Sequence, residues 1–443
     1  MTKEIAVVGA GLAGCLLANY LGRRGYAVTV YERRPDPRSG KAERGRSINL
    51  ALADRGIDAL RRIGIEKQVM AESLPMYGRM IHPVDGDLDF QPYSATGDRA
   101  INSIGRAALN NALLAAAAEL SNVRFVFDHR LVGLAPATGK MAFETPDGAV
   151  SATAAVVIGA DGAGSAVRGQ LLAHNQLTES LDFLDYGYKE LTIPAVNGEY
   201  AMDPGALHIW PRGGSMMIAL PNPDRSFNCI LFWPTGGTQA FASLGSPAAI
   251  ERYFHTHYPD VPPLMPTLVE DYLHNPVGLL GTVRCTPWQT HGRVALLGDA
   301  AHAIVPFYGQ GANCAFEDVV ELDRCLDECD DSWAAALPLY EARRKDNADA
   351  IAQLALDNFI EMRDRVASPV YQLGQKVEHA LARALPGRYL SRYELVSFTT
   401  IPYAQIERRV RRQHLAVGAA AAGAAALLFG SLGAAVARSR RRS

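Results

Sequence analysis

The sequence comprises 443 residues, 48% hydrophobic and 20% charged, an ordinary globular balance that excludes a disordered chain and leaves ample material for buried cores. Lys and Arg total 44 against 46 Asp and Glu, a formal charge of −2, so no global field draws the chain onto nucleic acid. At roughly 150 residues per domain the length predicts two or three domains, and 40 glycines point to tight turns and close backbone approaches.

In chain order, the apolar run Ile5 to Val8 predicts a strand, Gly9 a turn, and Leu12, Leu16, Leu17, Tyr20 and Leu21 a helix that Gly25 ends. Ala27 to Tyr31 alternate as a second strand closing at Glu32, which completes a βαβ unit. Glu4 interrupts the N-terminal apolar run, which leads directly into the glycine turn, so the sequence argues against a signal peptide and for reduced cytoplasmic thiols. The six cysteines are scattered, and the closest pair, Cys325 and Cys329 at i,i+4, lacks a nearby His pair, so no metal is expected.

A helix is expected near Arg106 to Leu120, then strands at Arg124 to Phe127 and Ala155 to Ile158, the latter ending in Asp161-Gly162. From about Asp182 to Val283 short β-like runs (Leu207 to Trp210, Ser215 to Ala219, Cys229 to Trp233) are punctuated by Pro and Gly, predicting a sheet-rich second domain. Arg293 to Leu297 returns to an apolar strand, followed by Gly298-Asp299 and a long helix. Helical patterns dominate from about Leu337 to Leu385.

The expected organisation is therefore a discontinuous nucleotide domain (1–70, 101–180 and 285–335), an inserted β-sheet substrate domain (71–100 and 181–284), a C-terminal helical region (336–412) and an apolar tail at 415–437. That tail holds 23 consecutive uncharged residues between Arg408, Arg409, Arg411, Arg412 and Arg438, Arg440, Arg441, Arg442. As a helix it would span ~35 Å, enough for a bilayer core of about 30 Å, and a transmembrane anchor on the cytoplasmic face of a membrane is expected. Its alanine richness leaves a helix packed on the protein as the competing reading.

The Gly9, Gly11, Gly14 motif has a mechanical reason at each place. Gly9 permits the turn, Gly11 lets backbone reach a pyrophosphate at a helix N-terminus, Gly14 lets helix and strand pack closely, and Glu32 can bond ribose hydroxyls. This predicts an adenine dinucleotide and leaves FAD and NAD undistinguished. Singly, Asp161 and Asp299 read equally as helix caps or Asx turns, and Arg106 as a solvated helix charge.

Taken together in this order, the glycine motif, Asp161-Gly162 and Gly298-Asp299-Ala300-Ala301-His302 resemble the FAD-dependent aromatic hydroxylases, the single-component class A flavin monooxygenases. The resemblance implies an α/β fold of the aromatic-hydroxylase type, with FAD contacted by Gly9, Gly11, Gly14, Glu32, Arg46, Arg106, Asp161, Asp299 and Gly311. It implies NADPH as co-substrate and no catalytic side chain, because the flavin C4a-hydroperoxide carries the chemistry; His302 is accordingly read as structural.

Further blocks, Gly45 to Leu52, Gly78 to His82, Leu207 to Pro211, Met216 to Pro221, Ile304 to Phe307 and Asn358 to Arg363, are similar to the kynurenine-hydroxylating branch of that family. This implies L-kynurenine, NADPH and O2 as small-molecule partners and 3-hydroxy-L-kynurenine as product. For the amino-acid end it implies Arg79, Tyr93, Tyr403, Asn358 and Glu361, and for the ring Pro306 and Phe307. Read alone, these residues fit a surface salt bridge, core tyrosines and a solvated helix face. The rival functions are hydroxylation of another aromatic acid and a non-catalytic membrane-tethered flavoprotein.

Overall fold

The computed structural model describes residues 4–39, 49–365, 368–419 and 422. Its first sheet has the order β18-β19-β12-β1-β2-β8, formed by Gln289–Thr290, Val294–Leu296, Val156–Gly159, Glu4–Val8, Ala27–Tyr31 and Val123–Val126 respectively. All its pairings are parallel except β18 with β19. Ile5 to Val8 are buried throughout, as a parallel strand covered on both faces requires. On that sheet α1 (Leu12–Arg23) packs against α4 (Arg106–Ala118), where the buried Asn19 amide donates to Cys15 O at 2.9 Å and Leu113 O at 2.8 Å.

The second large sheet has the order β17-β13-β16-β15-β14-β5-β6: Gly278–Thr286, Thr178–Ile193, Phe227–Pro234, Met216–Pro221, Ala206–Pro211, Gly78–Ile81 and Asp89–Pro92. Strand alternation divides its side chains between two cores. On the front face Ile81, Leu207, Ile209, Met216 and Phe232 join Phe307 and Phe359. On the back face Trp210, Met217, Leu231 and Trp233 pack under α6 (Pro247–His257) and α7 (Leu268–His274). The front face therefore looks toward the motifs, and the back face is sealed.

Two three-stranded sheets complete the β structure: β3 (Asn49–Leu52), β7 (Ile101–Gly105) and β4 (Leu74–Met76), and a meander β9 (Arg130–Ala135), β10 (Lys140–Thr145) and β11 (Gly148–Thr153). The remaining helices are α2 (Asp54–Arg62), α3 (Glu66–Ala71), α5 (Ala166–Ala173), α8 (Asp299–His302), α9 (Gly311–Glu328), α10 (Trp333–Ile360), α11 (Pro369–Ala384) and α12 (Arg392–Ser397). A wide π turn, Glu361–Arg365, follows α10, and residues 403–419 are helical.

Two expectations change. The long helix after Gly298 is broken: α8 has 4 residues, and a 3-10 turn at Pro306–Tyr308 with Gly309 at φ 66 separates it from α9. Proline lacks the amide the helix would need and the left-handed glycine reverses the chain. The β-rich middle region also contains α6 and α7, whose first helix starts at the Ser246-Pro247 cap. No helix among the described residues is long and apolar enough to cross a membrane; apart from 415–419 and 422, the expected span 415–437 lies outside those residues.

Candidate active site

The glycine motif builds a cradle by exclusion. A Cβ on Gly14 would lie 1.9 Å from Gly9 O, and one on Gly9, at φ +105, would lie 2.6 Å from Ala160 O, so backbone packs directly on backbone. A Cβ on Gly11 would meet nothing within 4 Å, which leaves open space at the N-terminus of α1. Gly298, at φ +63, fits between Ala13 and Ala315, so α1, α8 and α9 converge there. Gly311 opens α9 and likewise has free space at its Cβ position. Two long-helix N-termini thus aim amide dipoles into one cleft, the electrostatics an anionic dinucleotide needs.

Polar groups at this cleft fit the same ligand. Glu32 is buried at the end of β2 and accepts from Ala10 N at 2.8 Å, Arg34 N at 3.0 Å and Arg34 Nε at 2.8 Å. Burial opposes its charge, but the Arg34 and Ala10 bonds outweigh burial and hold the carboxyl below its ordinary range. Asn110 donates to Ala10 O at 3.2 Å while its Oδ1 is buried without a partner, an acceptor left over beside the glycine turn. Half-buried Asp299 has no side-chain hydrogen bond among the described residues. These residues fit FAD: Gly9, Gly11, Gly14, Glu32, Asp299 and Gly311 would hold it.

Other cofactor residues fall differently. Asp161 Oδ1 accepts from Ser165 Oγ at 2.5 Å and Oδ2 from Ala166 N at 2.6 Å, so its carboxylate caps α5. Asp161 thereby fixes the turn against which Gly9 packs, and its oxygens keep lone pairs for a ligand. Arg106 is exposed at the first position of α4. Arg46 lies outside the described residues.

Beneath the cleft runs a buried ion network. His302 Nε2 meets Asp318 Oδ2 at 2.6 Å, Gly298 N donates to the same oxygen at 3.0 Å, and Arg344 Nε donates to Asp318 Oδ1 at 2.6 Å. Burial works against the Asp318 charge, but His302 and Arg344 hold its carboxyl below the ordinary range. His302, Cys314 and Asp318 are close enough to suggest metal ligands, yet the Arg344 guanidinium, 3.3 Å from Cys314 Sγ, already supplies the cation. His302 is accordingly structural, holding the turn that presents Asp299.

The substrate pocket forms where the front face of the second sheet meets the C-terminal helices. Arg79, on β5, is buried, with Nη1 3.5 Å from Glu361 Oε1 and Cζ 5.0 Å from the Tyr393 ring centroid and 6.0 Å from that of Tyr93. Burial disfavours its charge, yet Tyr371, Glu361, Tyr93 and Tyr393 more than offset this and keep the guanidinium cationic. Tyr371 donates to Glu361 Oε1 at 2.5 Å, and the Tyr93 hydroxyl is buried, meeting neither Tyr393 nor Arg79 at hydrogen-bond geometry. Phe307 stacks on Phe359 at 4.0 Å and tilts against Phe232 at 4.9 Å, forming an apolar wall. Asn358 Nδ2 donates to Phe307 O at 2.7 Å and so holds that wall, while Pro306 is exposed beside it.

Tyr403 is not at this pocket's cation. Its hydroxyl donates to Gln310 Oε1 at 2.8 Å, and Arg55 lies 3.8 Å over its ring. Arg55 in turn pairs with Glu317 and donates to Ile401 O, so Tyr403 belongs to the buried network supporting the start of α9. The tyrosine beside Arg79 is Tyr393, stacked between Tyr93 at 4.6 Å and Tyr308 at 5.7 Å. Sequence reading missed Tyr393 and Tyr371. The one local signal was the Ser391 to Glu394 capping box, which fixes Tyr393 in the first turn of α12.

Comparison with known proteins matches this arrangement. Residues 2–355 match the family model described as an FAD binding domain. Kynurenine 3-monooxygenase of Myxococcus xanthus is 45% identical, covering 90% of this chain and 86% of the relative. The Dictyostelium discoideum enzyme of that name is 43% identical, covering 92% and 91%. Among solved structures, the tetrameric form of 2-methyl-3-hydroxypyridine-5-carboxylic acid oxygenase is 22% identical with a TM-score of 0.68, covering 86% of this chain and 96% of its own. Pseudomonas aeruginosa PqsL in complex with 2-aminobenzoylacetate is 21% identical, also with a TM-score of 0.68, covering 82% and 98%. On the strength of the sequence relatives and the FAD-binding model, the chain belongs to the kynurenine 3-monooxygenase family of FAD-dependent hydroxylases.

Proposed function

We propose that this protein hydroxylates L-kynurenine at the ring carbon ortho to the amine, consuming NADPH and O2 and releasing 3-hydroxy-L-kynurenine, NADP+ and water. The carrying observation is the pair of buried Arg79 and half-buried Glu361 on the front face, 3.5 Å apart and next to the Phe307–Phe359 wall. A zwitterionic amino acid exchanges into such a pair with no net buried charge. Its carboxylate takes the Arg79 fork and its ammonium takes Glu361. A simple aromatic acid would capture Arg79 and leave Glu361 without its cation, a costly state in a half-buried site. That asymmetry favours kynurenine over the hydroxylation of other aromatic acids.

FAD, when bound, supplies the two-electron reduction and oxygen activation that no side chain here provides. The chain's own residues bind and orient. Arg79 fixes the carboxylate, Tyr93 with its free buried hydroxyl is available to donate to it, and Glu361 receives the ammonium. Phe307 and Phe359 hold the aniline ring and exclude water, and Asn358 keeps the Phe307 backbone in place. Steady-state NADPH oxidation tests this. L-kynurenine should stimulate it strongly, its des-amino analogue only weakly, and equal stimulation by the two would remove the role of Glu361.

As part of the same reading, residues 415–437 anchor the enzyme to the cytoplasmic face of a membrane. The support is the run of 23 uncharged residues between arginine clusters. Truncation after His414 should move a flavin-loaded enzyme from the membrane fraction to the soluble one; unchanged fractionation refutes the anchor.

A further inference from the structure

Behind the strand that carries Arg79 lies a chain of polar groups that the reaction does not use, its two imidazoles buried and its ends, Asp260 and Asp203, reaching solvent. His82 directly follows β5, and its Nδ1 is 2.7 Å from Asp260 Oδ2 in the turn after α6. Its Nε2 is 2.8 Å from His208 Nδ1 on β14, and His208 Nε2 is 2.8 Å from Asp203 O. Trp210 Nε1 donates to the same Asp260 oxygen at 2.8 Å, and its ring stacks on His82 at 4.0 Å. His82 and His208 are both buried.

Proton counting decides the charge of this chain. Its two ends, the Asp260 carboxylate and the Asp203 carbonyl, both accept, and three contacts join them through two imidazoles. Each contact needs one proton, whereas two neutral imidazoles carry one each. With only two protons, one short contact would face lone pair to lone pair. The third proton has to reside within the triad. Burial opposes the Asp260 charge, but hydrogen bonds from His82 and Trp210 hold its carboxyl below the ordinary range. Burial pushes His208 down to about 4, so it is neutral near pH 7. The surplus proton then belongs on His82.

We infer that His82 is an imidazolium ion-paired to Asp260 and that this buried proton positions Arg79 for the substrate carboxylate. The mechanical link is short. β5 is held on one side by parallel pairing to β14, with Leu207 opposite Arg79 and His208 opposite Met80. The His82 to His208 contact locks the same two strands from the back face, and Asp260 ties both to the α6 layer. Arg212 adds a bond to His82 O at 2.8 Å and another to His257 O, spanning the same elements. The other titratable groups on this face include Tyr253, His257 and Tyr258 of the α6 region, Tyr272 of α7 and Lys189 of β13, whose Nζ lies 4.7 Å over the Tyr272 ring, and the Arg212 guanidinium lies 4.9 Å over the Tyr258 ring. Arg212 is a cation opposing the His82 charge, and Asp260 the anion holding it.

The inference rests on Arg79 being the carboxylate anchor, so its test has one arm without substrate. Nitrogen-15 spectra of histidine in the full-length flavoprotein, assigned by loss of signal in His82→Gln, should show both His82 ring nitrogens protonated at neutral pH. A neutral His82 there overturns the inference whatever the substrate is. In the kinetic arm, Asp260→Asn keeps an oxygen toward Trp210 but removes the anion that retains the proton. KM for kynurenine should rise about tenfold near pH 8, with kcat and flavin content unchanged, and the ratio to wild type should shrink toward one near pH 6 as the proton returns. A pH-independent ratio would show simple structural damage and overturn the positioning role. Should wild type fail to turn over kynurenine, the functional reading falls, and the spectra still decide the proton.

Discussion

Replacing Arg79 by alanine removes a buried cation that the front face offers to a substrate carboxylate. The side chain is 7% exposed, so its bond to a bound carboxylate is shielded from water and carries about 1.5 to 3 kcal/mol. At about 1.4 kcal/mol per tenfold, kcat/KM for kynurenine should fall roughly 10- to 150-fold. Flavin content should not change, because Arg79 touches none of the residues that form the cofactor cradle. Arg79→Lys should recover only part of the loss, since an ammonium cannot reproduce the planar fork. The decisive control is the kynurenine analogue lacking the carboxylate: the deleted arginine has nothing to bind in it, so its kcat/KM should drop far less. Equal losses for the two compounds would mean that Arg79 acts through Glu361 and the tyrosine stack alone, and the carboxylate assignment would be wrong.

Tyr393→Leu should raise KM for kynurenine by roughly 2- to 30-fold through the lost aromatic face 5.0 Å from Arg79, whereas Tyr403→Phe should leave KM within about twofold; the opposite order in steady-state kinetics would restore Tyr403 to the pocket. Gly11→Val should yield a folded chain without flavin absorbance, because its side chain enters open space, whereas Gly14→Ala should lower the melting temperature as well, since its Cβ would sit 1.9 Å from Gly9 O. The depressed Asp318 carboxyl contributes stability that is complete above the ordinary value of 3.8 and lost as pH falls through its lower native value. Urea unfolding of wild type should therefore weaken more steeply between about pH 5 and pH 3 than that of Asp318→Asn; identical slopes would contradict the charge assigned to Asp318.

What could be read from the sequence was what local chemistry dictates. The glycine turn, Glu32 at the end of β2 and Gly298-Asp299 before a helix are each defined by neighbours within a few residues, and each lies at the same cleft in the structure. The tyrosines were not readable in that way. Tyr393 and Tyr403 stand in one C-terminal stretch, both buried and both near arginine, and only partners distant in sequence separate them: Arg79 for one, Arg55 and Gln310 for the other. The Asp161 motif placed that residue beside the glycine turn but did not show that its oxygens accept from Ser165 Oγ and Ala166 N. Glu361 was expected on the face of Asn358, one helical turn away. The π turn widens the chain at that point, so Asn358 reaches Phe307 O while Glu361 reaches Arg79. The His82 chain was invisible because Asp260, His208 and Asp203 come together only when two strands and the turn after α6 meet.

Product analysis tests the central claim most directly. The purified yellow protein, given L-kynurenine, NADPH and O2, should form 3-hydroxy-L-kynurenine in step with kynurenine-stimulated NADPH oxidation, as followed by chromatography and mass spectrometry. NADPH oxidation that kynurenine does not stimulate, or kynurenine recovered unchanged while another aromatic acid is hydroxylated, would contradict it.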